Sequence, residues 1–420
     1  MNKNIFDQVR DINNKLSDEN YCAKVRENFE PAKEIIEYAV RNTEFYSQFK
    51  SGVSLYDLPV MNKTSLNENY AAHISKEFDE IFLHKMHTSG STGIPFTVVQ
   101  NLEKRTRHIA DLKVFGELCG YHDGEPMCYL RAKPTATKEE QKEQNIWQFD
   151  ICNLNPHNLT EYFEEMVQKK CTALIAYPST LKTAVEFWSE NFKNTSCVKT
   201  IISTSETLTE EVREKLKAFF GNECNVVARY SNTEQGILGQ ENGEDGKYLL
   251  NWASYFFEIL KLDSDEQASA GELGRIVITD LYNRAFPLLR YDTGDVGKII
   301  IPKKGFPYLA ELYGRRMDLI YDTKGSVVSP FLLCRTMRFT NGIEQWQFIQ
   351  NDQKKYILKI SSSKEISLEK EILQFKQTLG SDAEIDVMYV NEIPVMNSLK
   401  RKLIVSNYIP EKPNMHDKNV

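Results

Sequence analysis

The sequence predicts an α/β protein with a large N-terminal domain, which carries a β-rich subdomain, and a small C-terminal α+β lid domain. Three observations support this prediction. Between residues 86 and 300, short β-like runs alternate with amphipathic helical runs, which is typical of a largely parallel sheet flanked by helices. Within that span, residues 248–300 contain closely spaced strand-like runs. From residue 319 onward, a strand–helix mixture of about 100 residues has the size of a small separate domain.

The alternation of strands and helices is clearest in the middle of the chain. Each β-like run is short and apolar, and each helical run has apolar residues on one face. Gly221 stands where one of these helices should end, because glycine readily adopts the backbone conformation that terminates helices. We expect strands at 172–178, 198–205 and 225–231, and helices at 180–192 and 207–221.

Composition narrows the class of protein. The 420 residues are 41% hydrophobic and 26% charged, which is ordinary for a globular chain of two or three domains. The net charge is −7 with no offsetting basic stripe, so nucleic acid is a poor partner. No apolar run has the length of a signal-peptide core or a membrane span, so we expect a cytoplasmic protein without a membrane segment. The eight scattered cysteines include no Cys-x-x-Cys pair, so a zinc site is poorly supported.

The strongest local signal is the run from His87 to Phe96, which reads HTSGSTGIPF. A loop rich in glycine, serine and threonine can place backbone N–H groups and hydroxyls around phosphate oxygens. It is not the phosphate loop of nucleotide hydrolases, because no lysine follows the second glycine. Taken alone, the run is also compatible with a flexible surface turn.

Four further motifs follow in order along the chain. They read YSNTE at 230–234, YDTGD at 291–295, GRRMD at 314–318 and SLKR at 398–401. Together with the preceding loop, their order and spacing resemble the adenylate-forming superfamily of acyl- and aryl-CoA synthetases. The chain is most similar to the phenylacetate–CoA ligase-like branch, which includes capsule-cluster proteins, and the resemblance covers nearly its whole length.

The resemblance implies an ATP and Mg²⁺ site. Thr233 would touch the α-phosphate, Glu234 would bind Mg²⁺, and Asp295 would accept hydrogen bonds from both ribose hydroxyls. Lys400 would bridge the acyl carboxylate and the α-phosphate. Joining a carboxylate to a phosphate brings two anions together, and a metal ion and a lysine reduce that repulsion. The residues that would hold the β- and γ-phosphates are Ser89, Gly90, Ser91, Thr92 and Gly93.

The remaining implied roles concern the adenosine, the acyl pocket and the boundary between domains. Tyr230 would flank the adenine and the acyl group, and Arg315 would contact the ribose or a phosphate. Ser205 and Glu206 occupy a Gly-Gly-Glu-like turn and would belong to the nucleotide site. Domain 1–318 would end in a hinge, and domain 319–420 would be a lid that rotates between half-reactions. The residues assigned to the acyl pocket are Tyr177, Pro178, Ser179 and Thr204, and those assigned to the hinge are Met317 and Asp318.

Individually, these residues have ordinary interpretations. Tyr230 alone is compatible with core packing, Glu234 or Asp295 alone with a solvated carboxylate, and Lys400 alone with a surface lysine. The sequence also departs from the family pattern, because Ser231 replaces a glycine and Leu399 interrupts the usual Ser-Gly-Lys tripeptide. The ordered combination of motifs favours the functional interpretation.

The resemblance implies an enzyme that activates a small carboxylic acid as an acyl-AMP with release of pyrophosphate. The acyl group would then pass to a thiol, with CoA as the first choice. An amine or a carrier-protein thiol, as in polysaccharide or natural-product assembly, is the alternative acceptor. A protein of a different class, one that binds AMP without catalysis, is the third possibility. Dimers are common in this branch, so a homodimer is also an expectation.

Overall fold

The computed structural model describes residues 4–87, 96–243, 246–328, 330–337, 340, 342–394 and 402–408. In this part of the chain the α-helices are α1 (Ile5–Ser17), α2 (Glu19–Glu27), α3 (Lys33–Asn42), α4 (Lys63–Glu68), α5 (Tyr70–His73), α6 (Leu102–Glu117), α7 (Lys138–Gln144), α8 (Pro156–Gln168), α9 (Pro178–Asn191), α10 (Glu210–Phe220), α11 (Pro330–Met337) and α12 (Glu369–Leu379).

The strands of the same residues are β1 (His84–His87), β2 (Thr97–Gln100), β3 (Met127–Arg131), β4 (Ile146–Asp150), β5 (Ala173–Ala176), β6 (Thr200–Thr204), β7 (Asn225–Asn232), β8 (Gly236–Glu241), β9 (Tyr248–Leu250), β10 (Tyr255–Leu260), β11 (Leu273–Asp280), β12 (Tyr291–Ile300), β13 (Tyr308–Arg315), β14 (Ile320–Tyr321), β15 (Val327–Val328), β16 (Gln345–Gln350), β17 (Lys355–Ser361), β18 (Glu384–Tyr389) and β19 (Ile404–Ser406). Short 3₁₀ turns occur at Glu30–Ala32, Tyr46–Gln48, Leu55–Asp57, Glu80–Phe82 and Arg316–Asp318.

The chain forms two compact units. The first is built from Met1–Leu208 and Val212–Leu312, and the second chiefly from Tyr313–Met396. Eleven strands of the described residues form one sheet in the order β10-β11-β12-β13-β9-β8-β7-β6-β5-β3-β4. Strands β4, β3, β5, β6 and β7 are parallel to one another, whereas β7–β8, β8–β9 and β10–β11–β12 are antiparallel.

Helices that connect the parallel strands cover one face of that half of the sheet. Trp188 on α9 and Leu216 on α10 are buried there, in one apolar cluster with Leu174 and Ile201. Trp188 also donates its indole N–H to the Leu159 carbonyl of α8 at 2.8 Å, which locks the two helices together. The amphipathic runs predicted from sequence therefore pack as crossover helices of parallel βαβ units.

The opposite face of the parallel strands becomes polar toward their carboxyl ends. Val227 and Ile202 are paired across β7 and β6, and with Cys119, which follows α6, they form a small apolar cluster. Two residues further along the same strands, Thr204 is paired with Arg229. Residues two apart on a strand share a face, so polar side chains lie on this face at the carboxyl edge. Ligands commonly bind at that edge in α/β sheets.

An N-terminal segment is fastened to the antiparallel half of the first unit. The Met61 N–H donates to the Arg290 carbonyl at 2.9 Å, and the Asp292 N–H donates to the Met61 carbonyl at 2.7 Å. Arg290 also donates through Nη1 to the Leu58 carbonyl at 2.7 Å. Residues 58–61 are thus bound along the start of β12, which is the strand that carries the YDTGD motif.

The second unit has a core of its own. Its four-stranded sheet has the order β18-β17-β16-β19, with β16 and β17 antiparallel. Phe348, Leu358 and Ile360 of this sheet are fully buried with Phe375 of α12. The α/β fold class with a C-terminal α+β part is confirmed. No helix within the described ranges is long and apolar enough to cross a membrane.

Candidate active site

The hairpin between β7 and β8 carries two of the predicted catalytic residues. Its turn is held by Asn232, whose Oδ1 accepts the Gln235 N–H at 2.8 Å and whose Nδ2 donates to Gln235 Oε1 at 2.9 Å. The Tyr255 hydroxyl donates to the Gln235 carbonyl below this turn. Thr233 in the turn is exposed, whereas the adjacent Glu234 is buried. A rigid turn therefore separates a hydroxyl that faces solvent from a carboxylate held in the interior.

The Glu234 carboxylate lies beside a cation and a phenol. Lys63 Nζ is 2.7 Å from Glu234 Oε1, and the Tyr291 hydroxyl donates to the same oxygen at 3.1 Å. Among the residues that the structure describes, no hydrogen bond or ion pair engages Oε2 of this carboxylate. This arrangement fits Mg²⁺, because proteins bind Mg²⁺ through one or two carboxylates while phosphates and water complete its shell.

The protein groups alone do not form a metal cage in this region. The described part of the chain contains no group of three or more histidine, cysteine, aspartate or glutamate side chains that could hold a metal ion. A divalent cation at Glu234 would therefore need further ligands from a nucleotide. That requirement agrees with the way Mg²⁺ is bound in sites for nucleoside triphosphates.

Lys63 is a functional candidate that sequence reasoning missed. It is the first residue of α4, directly after Asn62, which caps the helix through reciprocal hydrogen bonds with Ser65. A cation is unfavourable at a helix N-terminus because the helix dipole is positive there. The lysine in this position was therefore the available signal that the residue has a partner elsewhere. The partner, Glu234, is far away in the sequence, so its identity required the fold.

Asp295 is fixed on strand β12. The Tyr230 hydroxyl donates to Asp295 Oδ2 at 2.9 Å, and the Asp295 N–H donates to Thr293 Oγ1 at 3.1 Å. Asp295 and Tyr230 are both buried. The contacts of Tyr230 with Asp295 and of Glu234 with Tyr291 join the same two elements, the β7–β8 hairpin and β12. The structure therefore brings together the YSNTE and YDTGD motifs, and the roles that the resemblance implies for their residues remain predictions.

The predicted acyl-pocket residues lie around the start of α9. Tyr177 precedes the helix, Pro178 is its first residue, and Ser179 is its second. Ser179 donates through its N–H to Glu206 Oε2 and through its hydroxyl to Glu206 Oε1, each at 3.0 Å. Glu206 is thus held at a helix N-terminus, which favours negative charge. Burial raises the pKa of Tyr177, so its phenol stays protonated at neutral pH.

The turn that contains Thr204 and Ser205 has an unusual backbone conformation. Ser205 has φ of 72°, in the left-handed region that glycine adopts most readily. Thr204 Oγ1 lies 3.4 Å from Ser231 Oγ, the serine that replaces a glycine of the family pattern. The turn that corresponds to Gly-Gly-Glu and the serine that replaces the glycine are therefore neighbours in space. They place two hydroxyls beside the predicted pocket.

Six of the predicted residues fall in segments that the structure does not describe. Ser89, Gly90, Ser91, Thr92 and Gly93 fall in the segment 88–95, and Lys400 falls in 395–401, both outside the described residues. The segment 88–95 is flanked in sequence by β1 and β2, which pair with His87 opposite Thr97. Gln100 at the end of β2 donates to the Glu234 carbonyl at 3.4 Å.

Three predicted residues lie in the second unit. Arg315 is half-buried at the end of β13, and Met317 and Asp318 lie in the following 3₁₀ turn. Lys402 Nζ is 2.8 Å from the Asp318 carboxylate in the same unit. Their proposed contact with nucleotide and their role as a hinge remain predictions.

Comparisons of the sequence with known proteins identify relatives of the whole chain and of its C-terminal part. Residues 320–407 match the model of the CapK C-terminal domain. The chain is 24% identical over 403 residues to protein CapK of Staphylococcus aureus, a match that covers 89% of this chain and 87% of that protein. It is 26% identical over 183 residues to indoleacetate–lysine synthetase of Pseudomonas savastanoi, which covers 43% of this chain and 42% of that enzyme.

Solved structures share the fold. A 2-hydroxyisobutyryl-CoA ligase in its postadenylation state aligns with a TM-score of 0.72 at 14% identity, over 95% of this chain and 92% of that chain. ATP-bound MatB from Rhodopseudomonas palustris aligns with a TM-score of 0.55 at 14% identity, over 77% of this chain and 67% of that chain. The shared fold, the CapK relative and the matching C-terminal domain all agree with the resemblance to the adenylate-forming superfamily and its capsule-cluster proteins that the motifs indicate.

Proposed function

We propose that this protein is an AMP-forming ligase that activates a carboxylic acid with ATP and Mg²⁺ and transfers the acyl group to an acceptor. The observation that carries the proposal is the pair of contacts between the β7–β8 hairpin and β12. These contacts fix a buried glutamate beside Lys63 and a buried aspartate beside Tyr230. One carboxylate suits a divalent cation, and the other suits a cis-diol, since one carboxylate accepts two hydrogen bonds.

The residues divide the work of the first half-reaction. Glu234 would hold Mg²⁺, which neutralises phosphate charge when it is bound. Asp295 would position the ribose, and Thr233, exposed at the turn, would contact the α-phosphate. Lys63 keeps the buried Glu234 charge compensated, and its ammonium group adds positive charge where phosphates would bind. Lys400, assigned by the family resemblance, would bridge the acyl carboxylate and the α-phosphate.

The proposal has two versions, which differ in the molecule that accepts the acyl group. Transfer to CoA is favoured by the fold neighbours, which include CoA ligases. Transfer to an amine is the second candidate, because one sequence relative is an indoleacetate–lysine synthetase. Both versions share the acyl-AMP and differ only in the nucleophile that attacks it.

The test is acid-dependent release of pyrophosphate by the full chain. ATP, Mg²⁺ and a panel of carboxylic acids are supplied, first alone and then with CoA or with lysine. We expect pyrophosphate release with a subset of acids and acceleration by one acceptor. Glu234→Gln removes the charge that holds Mg²⁺, and we expect a loss of about 10²–10³-fold or more in this rate. The matched control is Glu311→Gln, which alters a half-buried glutamate paired with Lys298 and should leave the rate unchanged.

Two outcomes would contradict the proposal. One is the absence of pyrophosphate release across the panel together with the absence of ATP binding by calorimetry. The other is a Glu234→Gln variant that retains the full rate and the full Mg²⁺ dependence of the wild type.

A further inference from the structure

The polar face at the carboxyl edge of the parallel strands carries two arginines, each with a buried nitrogen that has no hydrogen-bond partner among the described residues. Arg229 on β7 is paired in register with Thr204 on one side and with Gln240 on the other. Laterally paired residues share a face of the sheet, so Arg229 projects on the same side as the predicted pocket residue Thr204. The site of acyl binding and this arginine are therefore adjacent on one face.

Arg229 has little compensation for its charge. Its Nε donates to Gln240 Oε1 at 2.8 Å, but its Nη2 is buried and has no hydrogen-bond partner in the described part of the chain. Burial lowers the pKa of Arg229, yet an arginine remains charged in a protein. A buried donor without a partner is costly, by about 1–3 kcal/mol, which favours a structural or functional reason for keeping it.

A second arginine lies on the same edge. The Arg131 guanidinium carbon is 5.2 Å from the centre of the Tyr129 ring, two residues earlier on β3. Arg131 Nε is also buried without a hydrogen-bond partner among the described residues. Tyr129 lies close enough to affect Arg229 electrostatically, and Arg131 lies close enough to affect Tyr177. Tyr129 is therefore a common neighbour of the two arginines.

Helix α6 adds further nitrogen-bearing side chains. Burial, together with the nearby cations Lys104, Arg105 and Arg229, lowers the pKa of His108 to about 4. His108 is therefore neutral, and the arginines carry the charge. Any side chain at Gly236 would collide with the His108 ring. Since Gly236 ends the turn that contains Glu234, His108 borders the β7–β8 hairpin, which carries the predicted catalytic residues Thr233 and Glu234 and is called the catalytic hairpin below.

No carboxylate of the described residues compensates these cations. Arg105, Arg131 and Arg229 have no ion pair within 4 Å in the described ranges, although many other arginines of the unit do. Two carboxylates border this region without forming an ion pair with these arginines. Asp150 is paired in register with Arg131, and its Oδ1 accepts the N–H groups of Lys133 and Cys152. Both oxygens of Glu206 accept hydrogen bonds from Ser179. Two partly unsatisfied guanidinium groups are therefore suited to an anionic ligand.

We propose that the acid activated by this protein carries a second anionic group, a carboxylate, sulfate or phosphate, which Arg229 and Arg131 bind while the reacting carboxylate faces the catalytic hairpin. This inference rests on the proposed function, since it names the substrate class of that site. The planar guanidinium forks of two arginines can bind one oxyanion through several charge-assisted hydrogen bonds. A neutral acid of the same shape would leave both donors unsatisfied, and the site would reject it.

The experiment compares matched probes that differ by one charge. Isophthalate is paired with 3-carbamoylbenzoate, and glutarate with its monoamide. Binding to the full chain is measured by calorimetry, and pyrophosphate release is measured with the same four acids. We expect the wild type to bind each dianion about 10–100-fold more tightly than its monoamide, the size of one or two charge-assisted hydrogen bonds.

Substitutions locate the effect on the arginines. Arg229→Gln and Arg131→Gln should each remove most of the preference for the dianion while leaving monoamide and ATP affinity within about threefold of wild type. Arg229→Lys keeps the charge without the fork and should retain part of the preference. The matched control is Arg284→Gln, an exposed arginine paired with Glu34, which should change nothing. Arg131→Gln provides an independent test if an Arg229 variant does not fold.

The outcomes separate this inference from the proposed function. Equal or tighter binding of the monoamides by the wild type, or weaker ATP binding as the main effect of both arginine substitutions, would overturn the inference. Pyrophosphate release with neutral-tailed acids alone would overturn it while supporting the proposed function. Arginine-dependent binding of the dianions, with no pyrophosphate release across the acid panel and no ATP binding, would support the anion site and contradict the proposed function.

Discussion

The two halves of the large sheet differ in how their arginines are paired. In the antiparallel half, Arg275 is 2.7 Å from Asp292, and Arg290 is 3.0 Å from Glu258. In the parallel half, Arg131 and Arg229 have no such carboxylate among the described residues. The same side chain therefore serves two purposes. Where it is paired, it joins strands and segments of the fold, and where it is not, it lies at the edge where α/β sheets bind ligands.

The paired arginines have a visible structural task. Arg290 adopts the left-handed backbone conformation with φ of 46° and reaches the carbonyls of Tyr56 and Leu58 as well as Glu258. Both members of this pair are almost fully buried. Removing one partner would leave a buried charge uncompensated, which is far more costly than removing a charge that has no partner.

The prediction with the largest expected effect tests the difference between paired and unpaired arginines directly. Arg290→Gln should lower the free energy of unfolding by about 3–5 kcal/mol, because Glu258 would remain buried and unpaired. Arg229→Gln should stay within about 1 kcal/mol of the wild type, because no carboxylate loses its partner. Urea denaturation of both variants measures the difference. If Arg229→Gln costs as much as Arg290→Gln, the distinction between structural and ligand-binding arginines is wrong.

The second prediction concerns a carboxylate that contacts a phenol. Asp295, beside Tyr230, is assigned to the ribose, so Asp295→Ala should weaken ATP and AMP binding together. The expected loss is about 1.5–3 kcal/mol, the range for a charge-assisted hydrogen bond. Calorimetry with AMP measures it, and Tyr230→Phe, which keeps the carboxylate, is the milder companion variant. An unchanged AMP affinity in Asp295→Ala would mean that the ribose binds elsewhere.

The prediction with the smallest expected effect tests whether a buried side chain without a hydrogen-bond partner always marks a ligand site. His73 is buried against Phe45 and Phe286, and neither ring nitrogen has a hydrogen-bond partner in the described part of the chain. Burial lowers the pKa of His73 from 6.5 to about 4, so the folded protein holds it neutral. A neutral imidazole needs no counter-ion, and we interpret His73 as core rather than as a site.

The sign of the pH effect follows from this depressed pKa. As pH falls below about 6.5, the unfolded chain binds a proton at His73 before the folded chain does, so stability is lost between about pH 6.5 and 4. Lowering the pH from 7.5 to 5.5 should cost about 1 kcal/mol through this residue. His73→Phe should flatten the urea stability curve over that interval by this amount. An identical slope in variant and wild type would show that His73 is not held neutral by the fold.

Much of the fold was predictable because local periodicity and packing agree. The helix predicted at 207–221 occurs as α10 (Glu210–Phe220), and Gly221 follows it with φ of 107°, as its role as a stop requires. The strand predicted at 225–231 occurs as β7. The pairing of β7 with β8 and of β13 with β9 depends on contacts between distant segments. Local patterns carry no information on such pairings, so the order of the eleven strands could not be predicted.

Site residues that lie within short contiguous motifs could be predicted from the sequence. Site residues that reach the site only through folding could not. Tyr230, Glu234 and Asp295 lie within short recognisable motifs, and the structure brings these motifs together. Lys63 and Arg131 belong to no such motif, and their significance comes from what lies opposite them in space. For Arg131 even the sequence neighbourhood is uninformative, because an arginine at a strand end is ordinary until its Nε is seen to be buried without a hydrogen-bond partner among the described residues.

The attachment of Met61 to the start of β12 has a consequence for the order in which the protein is made. During synthesis, Lys63 leaves the ribosome long before Glu234 and before the strand that receives Met61. An incomplete chain that ends before β12 lacks both the strand that holds the N-terminal segment and the Asp295 side chain. Acid activation would therefore begin only after the sheet has closed on its own N-terminal segment, and unfinished chains would release no reactive acyl-adenylate into the cell.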